Sequence, residues 1–197
     1  MRCALLALLA LLTFSSGVNA LEDNGIADLY ARGLRGDKQA VVDCIAALEA
    51  RLAHEPNDQL ARVYLGSAWT LRSRDLSMGF AKLSALRKGI TLMDEAAAGA
   101  PDDCRVLLQR AVTNEAFPAI LGRRQIARTE FDELVALVEK EPARLGSFDR
   151  QLLYLNAGLA AQRAGEKQRA IELWQRGLTI NGDPHLMSEI RQALAGS

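Results

Sequence analysis

Residues Gln151 to Asn181 read QLLYLNAGLAAQRAGEKQRAIELWQRGLTIN. Leu152, Leu155 and Leu159 recur at helical spacing. After the polar turn Gly165-Glu166-Lys167, Ala170, Leu173, Trp174 and Gly177 do the same. Each set forms an apolar stripe on one face of an α-helix. Ala157, Gly158, Ala161, Ala170 and Gly177 keep those faces small, which predicts two closely packed helices. One such pair cannot bury its own apolar face, so further pairs are expected on either side.

The whole chain agrees with a helical globular protein. It has 197 residues, 49% of them hydrophobic and 24% charged, with 5% aromatic. Ala and Leu dominate, and no alternating run predicts a strand. The formal charge is zero, which gives no bulk attraction to nucleic acid or anionic membrane.

Residues 1–20 read as a secretory signal peptide. Arg2 is basic, Cys3 to Phe14 is an apolar run too short to span a bilayer comfortably, and Val18-Asn19-Ala20 presents small residues for cleavage after Ala20. An uncleaved N-terminal anchor is the rival. The expected mature domain is 21–197, without membrane insertion, in the periplasm or outside the cell. Export permits a disulfide between Cys44 and Cys104. Cys44, however, shares a face with Val41, Ile45, Leu48 and Leu52, where a thiol behaves as a small apolar residue, and the two cysteines fall in different helix pairs. A bridge is the less favoured expectation.

Taken in order, the chain predicts four helix pairs and a final single helix. The first pair covers Asn24 to Arg35 and Lys38 to His54. The second opens at Gln59 with Leu60, Val63, Tyr64, Ala68 and Leu71 on one face. Its second helix is predicted over about Ala81 to Ala98, with Leu83, Leu86, Ile90 and Met93 inward. The third starts at Asp103, is interrupted at Pro118, and resumes over about Ile126 to Glu139 with Phe131, Leu134, Val135 and Val138 inward. Ser147-Phe148-Asp149 is a predicted cap region for the fourth pair. Asp183 is the predicted N-cap, and Pro184 the first residue, of the last helix.

The run Leu65-Gly66-Ser67-Ala68-Trp69 resembles the first helix of a tetratricopeptide repeat, and Gln151–Asn181 resembles one complete repeat. The resemblance covers nearly all of residues 21–197, with extra residues in the second and third units. The middle portion, KLSALRKGITLMDEAAAGAPDD and FPAILGRR, is similar to exported bacterial repeat proteins. It implies an all-α fold, a right-handed α-solenoid of about four helix pairs closed by a C-terminal capping helix. It also implies a non-enzymatic module that binds a protein or peptide. Some family members clamp a peptide carboxylate in a concave groove, but the residues of that clamp do not transfer cleanly to this chain.

Candidate chemistry is sparse. His54 and His185 have no nucleophile motif beside them and read as cap or surface residues. No CxxC or His/Cys cluster predicts a metal, and no glycine loop predicts a phosphate site, so no cofactor is expected. The basic residues are more informative. Arg72 to Lys88 and Arg105 to Arg128 each carry five cations and one acid. Arg87, Arg105, Arg110, Arg123 and Arg124 are the candidate partner-binding residues, because the guanidinium fork suits carboxylates. The competing expectation is that they pair within the chain, with Asp94, Glu95, Asp102, Asp103 or Glu115, or simply solvate a helix face. Phe80, Phe117, Ile120 and Leu121 lie in the extra segments. Ile120 and Leu121 are expected to pack, and Phe80 to be exposed. Two further functional expectations stand beside the peptide-binding one: a structural assembly factor of an envelope complex, and a small-anion-binding protein.

Overall fold

The computed structural model describes residues 25–196; the expected signal peptide lies outside them. Nine α-helices follow in chain order among the described residues: α1 (Ile26–Leu34), α2 (Lys38–His54), α3 (Gln59–Asp75), α4 (Phe80–Gly99), α5 (Cys104–Glu115), α6 (Arg123–Lys140), α7 (Ser147–Arg163), α8 (Lys167–Leu178) and α9 (Pro184–Ala195). Single 3₁₀ turns, Ala119–Leu121 and Pro142–Arg144, precede α6 and α7. Each helix packs on the next. The odd-numbered helices also touch one another, α1 on α3, α3 on α5, α5 on α7 and α7 on α9. They form a continuous row flanked by the even-numbered helices.

Helix boundaries follow the local chemistry. Asp37, Asp58, Asp103 and Asp183 cap α2, α3, α5 and α9, each accepting hydrogen bonds from backbone N–H groups of the first turn. Pro184 occupies the first turn of α9, where its missing N–H costs nothing. Ser147 is not a cap. It is already helical, and Gly146 precedes it without a side-chain bond. The interruption at Pro118 is as expected, but α6 begins at Arg123 rather than near Ile126, because Gly122 in the left-handed conformation (φ 67°) turns the chain straight into the helix.

The core is built in three stretches along the row. Ile26, Val41, Cys44, Ile45, Leu48, Ala61, Leu65 and Ala68 join α1, α2 and α3. Val63, Met93, Ala96, Ala97, Val106 and Phe117 join α3, α4 and α5. Phe131, Leu134, Leu153, Tyr154, Leu173, Trp174 and Ile190 anchor the largest stretch, from α5 to α9. In the fourth pair, the predicted leucine stripe of α7 is only partly inward: Leu155 is buried, while Leu152 and Leu159 are half-buried. Gln151, Leu153, Tyr154 and Leu155 are all covered, because α5, α6, α8 and α9 contact it from several sides. The fully buried Gln151 donates to the carbonyl of Ile180 (3.0 Å) and accepts from the Asp183 N–H (2.6 Å), which fixes the entry to α9.

The α3–α4 contact brings backbone directly against backbone. A Cβ on Gly66 would lie 2.7 Å from the carbonyl oxygen of Gly89 and 2.9 Å from the Met93 nitrogen, and one on Gly89 would lie 2.6 Å from the Gly66 oxygen. Neither position has room for a side chain. This contact corrects one expectation about α4. Its buried face is Ala85, Gly89, Met93, Ala96 and Ala97. Leu86 and Ile90 are half-buried, and Leu83 is 50% exposed. Small residues that let backbones meet took the inner face, and the larger Leu83 was turned to the rim.

Cys44 and Cys104 are free and buried in separate core stretches. Burial pushes the Cys44 thiol up to about 11.

Two outcomes are expected. Gly66→Ala should lower unfolding stability by about 1–3 kcal/mol or more, since the obstructing atoms are backbone; a urea midpoint equal to that of the parent would contradict the close contact. Cys44 should resist a thiol reagent at pH 8 until denaturant is added, because almost none of it is thiolate in the folded chain; labelling of Cys44 at the rate of an exposed thiol would contradict its burial.

Candidate functional site

The basic residues of the middle segments are placed first by their partners. Arg123 is held by Asp94, with Nη1 donating to Oδ2 at 3.0 Å and Nη2 to Oδ1 at 2.5 Å, and its Nε donates to Asn114 at 3.0 Å. Arg110 donates through Nε and Nη2 to the buried Glu130 and reaches Asp94 at 3.4 Å. Burial raises the pKa of Glu130, and the Arg110 guanidinium partly offsets that shift. The cluster ties α4, α5 and α6 together. Arg105 faces Asp149 of α7 at 3.7 Å. Only Arg87 and Arg124 of the five candidate residues make no ion pair among the described residues; Arg87 is exposed, and the Nε of Arg124 is buried without a hydrogen-bond partner. Arg110 and Arg123 therefore act first as internal fasteners, the competing expectation for these residues.

One open concavity of about 430 Å³ lies beside this cluster, lined by Leu107, Arg110, Gln125, Ile126 and Glu130. A cavity of about 420 Å³ opens between α1, α3, α4 and α5. Its walls are Leu34, Leu71, Leu86, Val112, Phe117 and Leu121. Tyr30, Ser67, Thr70, Ser73 and Thr113 supply its neutral polar lining, and Arg74 and Lys82 its cations. Thr70 donates to the Ser67 carbonyl (2.7 Å) and Ser73 to the Lys82 carbonyl (3.0 Å), while Tyr30, Ser67 and Thr113 join Gln109 in a closed hydrogen-bond ring. Gln109 donates to the Tyr30 oxygen (2.8 Å), Tyr30 and Ser67 are 2.6 Å apart, Ser67 and Thr113 are 2.9 Å apart, and Thr113 donates to the Gln109 carbonyl (2.9 Å). Because Thr113 spends its proton on that carbonyl, Ser67 must donate to Thr113 and Tyr30 to Ser67. Burial raises the Tyr30 pKa, so its hydroxyl keeps the proton this ring requires.

Arg74 and Lys82 also close helix ends. Lys82 donates to the carbonyls of Ser73 (2.9 Å), Leu76 (3.2 Å) and Arg74 (3.4 Å) at the end of α3. Arg74 donates to Asp75 (2.8 Å), Gly33 (2.9 Å) and Leu34 (3.4 Å).

Exposed apolar side chains flank the cavity lining along the chain. Met78 and Phe80 are each 84% exposed and lie just before the lining residue Lys82; Ile120 is 92% exposed and sits between the lining residues Pro118 and Leu121. Exposure at Phe80 was expected. Exposure at Ile120, and at Leu121 with 39%, was not. Pro118 ends the α5 trajectory, and the single 3₁₀ turn that follows brings Phe117 inward while Ile120 projects outward.

Of the cavity leucines, Leu71 and Leu86 stand out in the sequence as helical apolar positions, whereas Leu121 reads as part of an extra segment and Leu34 is not singled out. The polar lining of the cavity was not singled out: Ser67 passed as one more small residue, and Gln109 and Thr113 were overlooked. The available signal was their i, i+4 spacing beside Leu108, Ala111 and Val112. Among the described residues, no group of His, Cys, Asp and Glu is placed to hold a metal ion, and no helix is long and apolar enough to cross a membrane. No protein-family model, curated protein or solved structure matches the chain.

The ion-pair cluster makes a direct prediction. Arg123→Glu should lower stability by about 2 kcal/mol or more, since it turns a pair into a repulsion beside Asp94. Arg87→Glu should stay within about 0.5 kcal/mol of the parent. Equal melting curves for the two variants would contradict the assignment.

Proposed function

We propose that this chain is an exported, non-enzymatic interaction module of the tetratricopeptide-like kind, which docks a protein partner on the apolar rim formed by Met78, Phe80, Leu83, Ile120 and Leu121. The observation that carries it is the exposure of these large apolar side chains, on two separate linkers and the start of α4, next in sequence to the lining residues of one cavity. Exposed apolar residues gathered in this way are costly in water and mark contact surfaces. Loops held by a rigid helical frame are a common place for such contacts.

The helix order also supports a repeat architecture. Four sequential pairs and a final helix, with odd-numbered helices in a row, are what a right-handed α-solenoid with a C-terminal cap requires. The partner surface that fits best is apolar, because Arg105, Arg110 and Arg123 are already paired within the chain. An assembly-factor role in an envelope complex is compatible with the same rim. Small-anion binding by the central arginines draws no support from side chains already held by Asp94 and Glu130.

The test is capture in the cell envelope by the tagged protein and by the double variant Phe80→Ser, Ile120→Ser. Both residues are exposed and lie outside the cavity lining, so the fold and its melting temperature should be kept. A partner enriched by the parent should fall about tenfold or more with the variant. Undiminished capture by a folded double variant would remove the rim from the mechanism.

A further inference from the structure

We infer that the cavity beneath the rim is a binding site for a medium-chain fatty acid, with the aliphatic chain inside and the carboxylate at the mouth. This goes beyond partner docking, because it concerns a small ligand held by the chain itself. Three observations carry it.

The first is size and lining. The cavity measures about 420 Å³, and at roughly 30 Å³ per water-sized group it accommodates about a dozen methylenes. Leu34, Leu71, Leu86, Val112, Phe117 and Leu121 give it mainly apolar walls, the usual character of a small-molecule site.

The second is the proton inventory of the polar lining. Each hydroxyl of the ring Gln109–Tyr30–Ser67–Thr113 already donates its only proton within the ring. The ring therefore offers no donor to an anion. A carboxylate placed against it would be desolvated without a partner, which is strongly unfavourable. The ligand must enter chain first.

The third is the charge at the mouth. Asp75 compensates Arg74, but no carboxylate pairs with Lys82 among the described residues; its three bonds go to neutral carbonyls. Arg74 uses three of the guanidinium's five N–H donors, and its side chain is 41% exposed. The mouth thus carries one uncompensated positive charge and spare donors, next to an apolar cavity. An anionic head on an aliphatic chain matches both parts.

Binding of dodecanoate to the purified protein, measured by calorimetry below its micelle concentration, tests the inference. Saturable binding of one equivalent is expected, with octanoate weaker because it leaves part of the cavity unfilled. Dodecanol should bind about tenfold more weakly, since it lacks the charge. Ala116→Trp, which places an indole in the cavity from an exposed lining position, should abolish binding while keeping the helical circular dichroism. Lys82→Met should weaken dodecanoate and leave dodecanol unchanged. No saturable binding to the parent would overturn the site, as would full binding by a folded Ala116→Trp variant. Equal affinity for dodecanoate and dodecanol would overturn the placement of the head. The chain-length and head-group comparisons use the parent protein, so they decide even if a variant misfolds. Loss of partner capture in the rim variant with dodecanoate binding intact would separate the two sites.

Discussion

The structure depends first on the close meeting of α3 and α4. Gly66 and Gly89 present bare backbone to each other, and neither tolerates a Cβ. That contact sets the separation of the second helix pair and decides which face of α4 turns inward. Ala85, Gly89, Met93, Ala96 and Ala97 fill the contact. Leu86 is left on the cavity wall and Leu83 on the rim. A larger residue at either glycine would separate the helices and change the cavity between α1, α3, α4 and α5. Local packing and the candidate site are thus one problem: the wall exists because the backbones can touch.

A second constraint comes from buried polar groups, which must find partners in the interior. Two networks answer it differently. Asp94, Arg110, Arg123 and Glu130 use charge to hold α4, α5 and α6 in register. Tyr30, Ser67, Gln109 and Thr113 use neutral groups in a closed ring to join α1, α3 and α5. The charged network leaves its arginines little freedom for a partner. The neutral ring leaves the cavity without a donor on its polar side. Together they move the expected chemistry away from the arginines and toward the apolar mouth.

Much of the fold was legible in the sequence. Apolar spacing located each of the nine described helices, and Asp103 and Asp183 marked helix starts where capping chemistry demands them. The site was less legible for physical reasons. The arginines at 110 and 123 are separated from Asp94 by 16 and 29 residues, so their pairing needs tertiary placement that spacing alone does not provide. The ring polar residues come from three helices and are individually unremarkable. Ile120 looked like a core residue by its side chain, but its exposure is decided by the backbone turn after Pro118. Leu83 failed in the same way, because a small-residue face competed with a large one and won.

The central claim is that this molecule works through the apolar mouth rather than through its basic residues. The most direct measurement is site-specific photo-crosslinking in whole cells, with a benzoylphenylalanine placed singly at positions 80, 87, 120 and 124. The account predicts a discrete protein adduct from positions 80 and 120 and none from 87 and 124. An adduct from 87 or 124, with none from 80 or 120, would contradict it and return the basic surface to the centre of the mechanism.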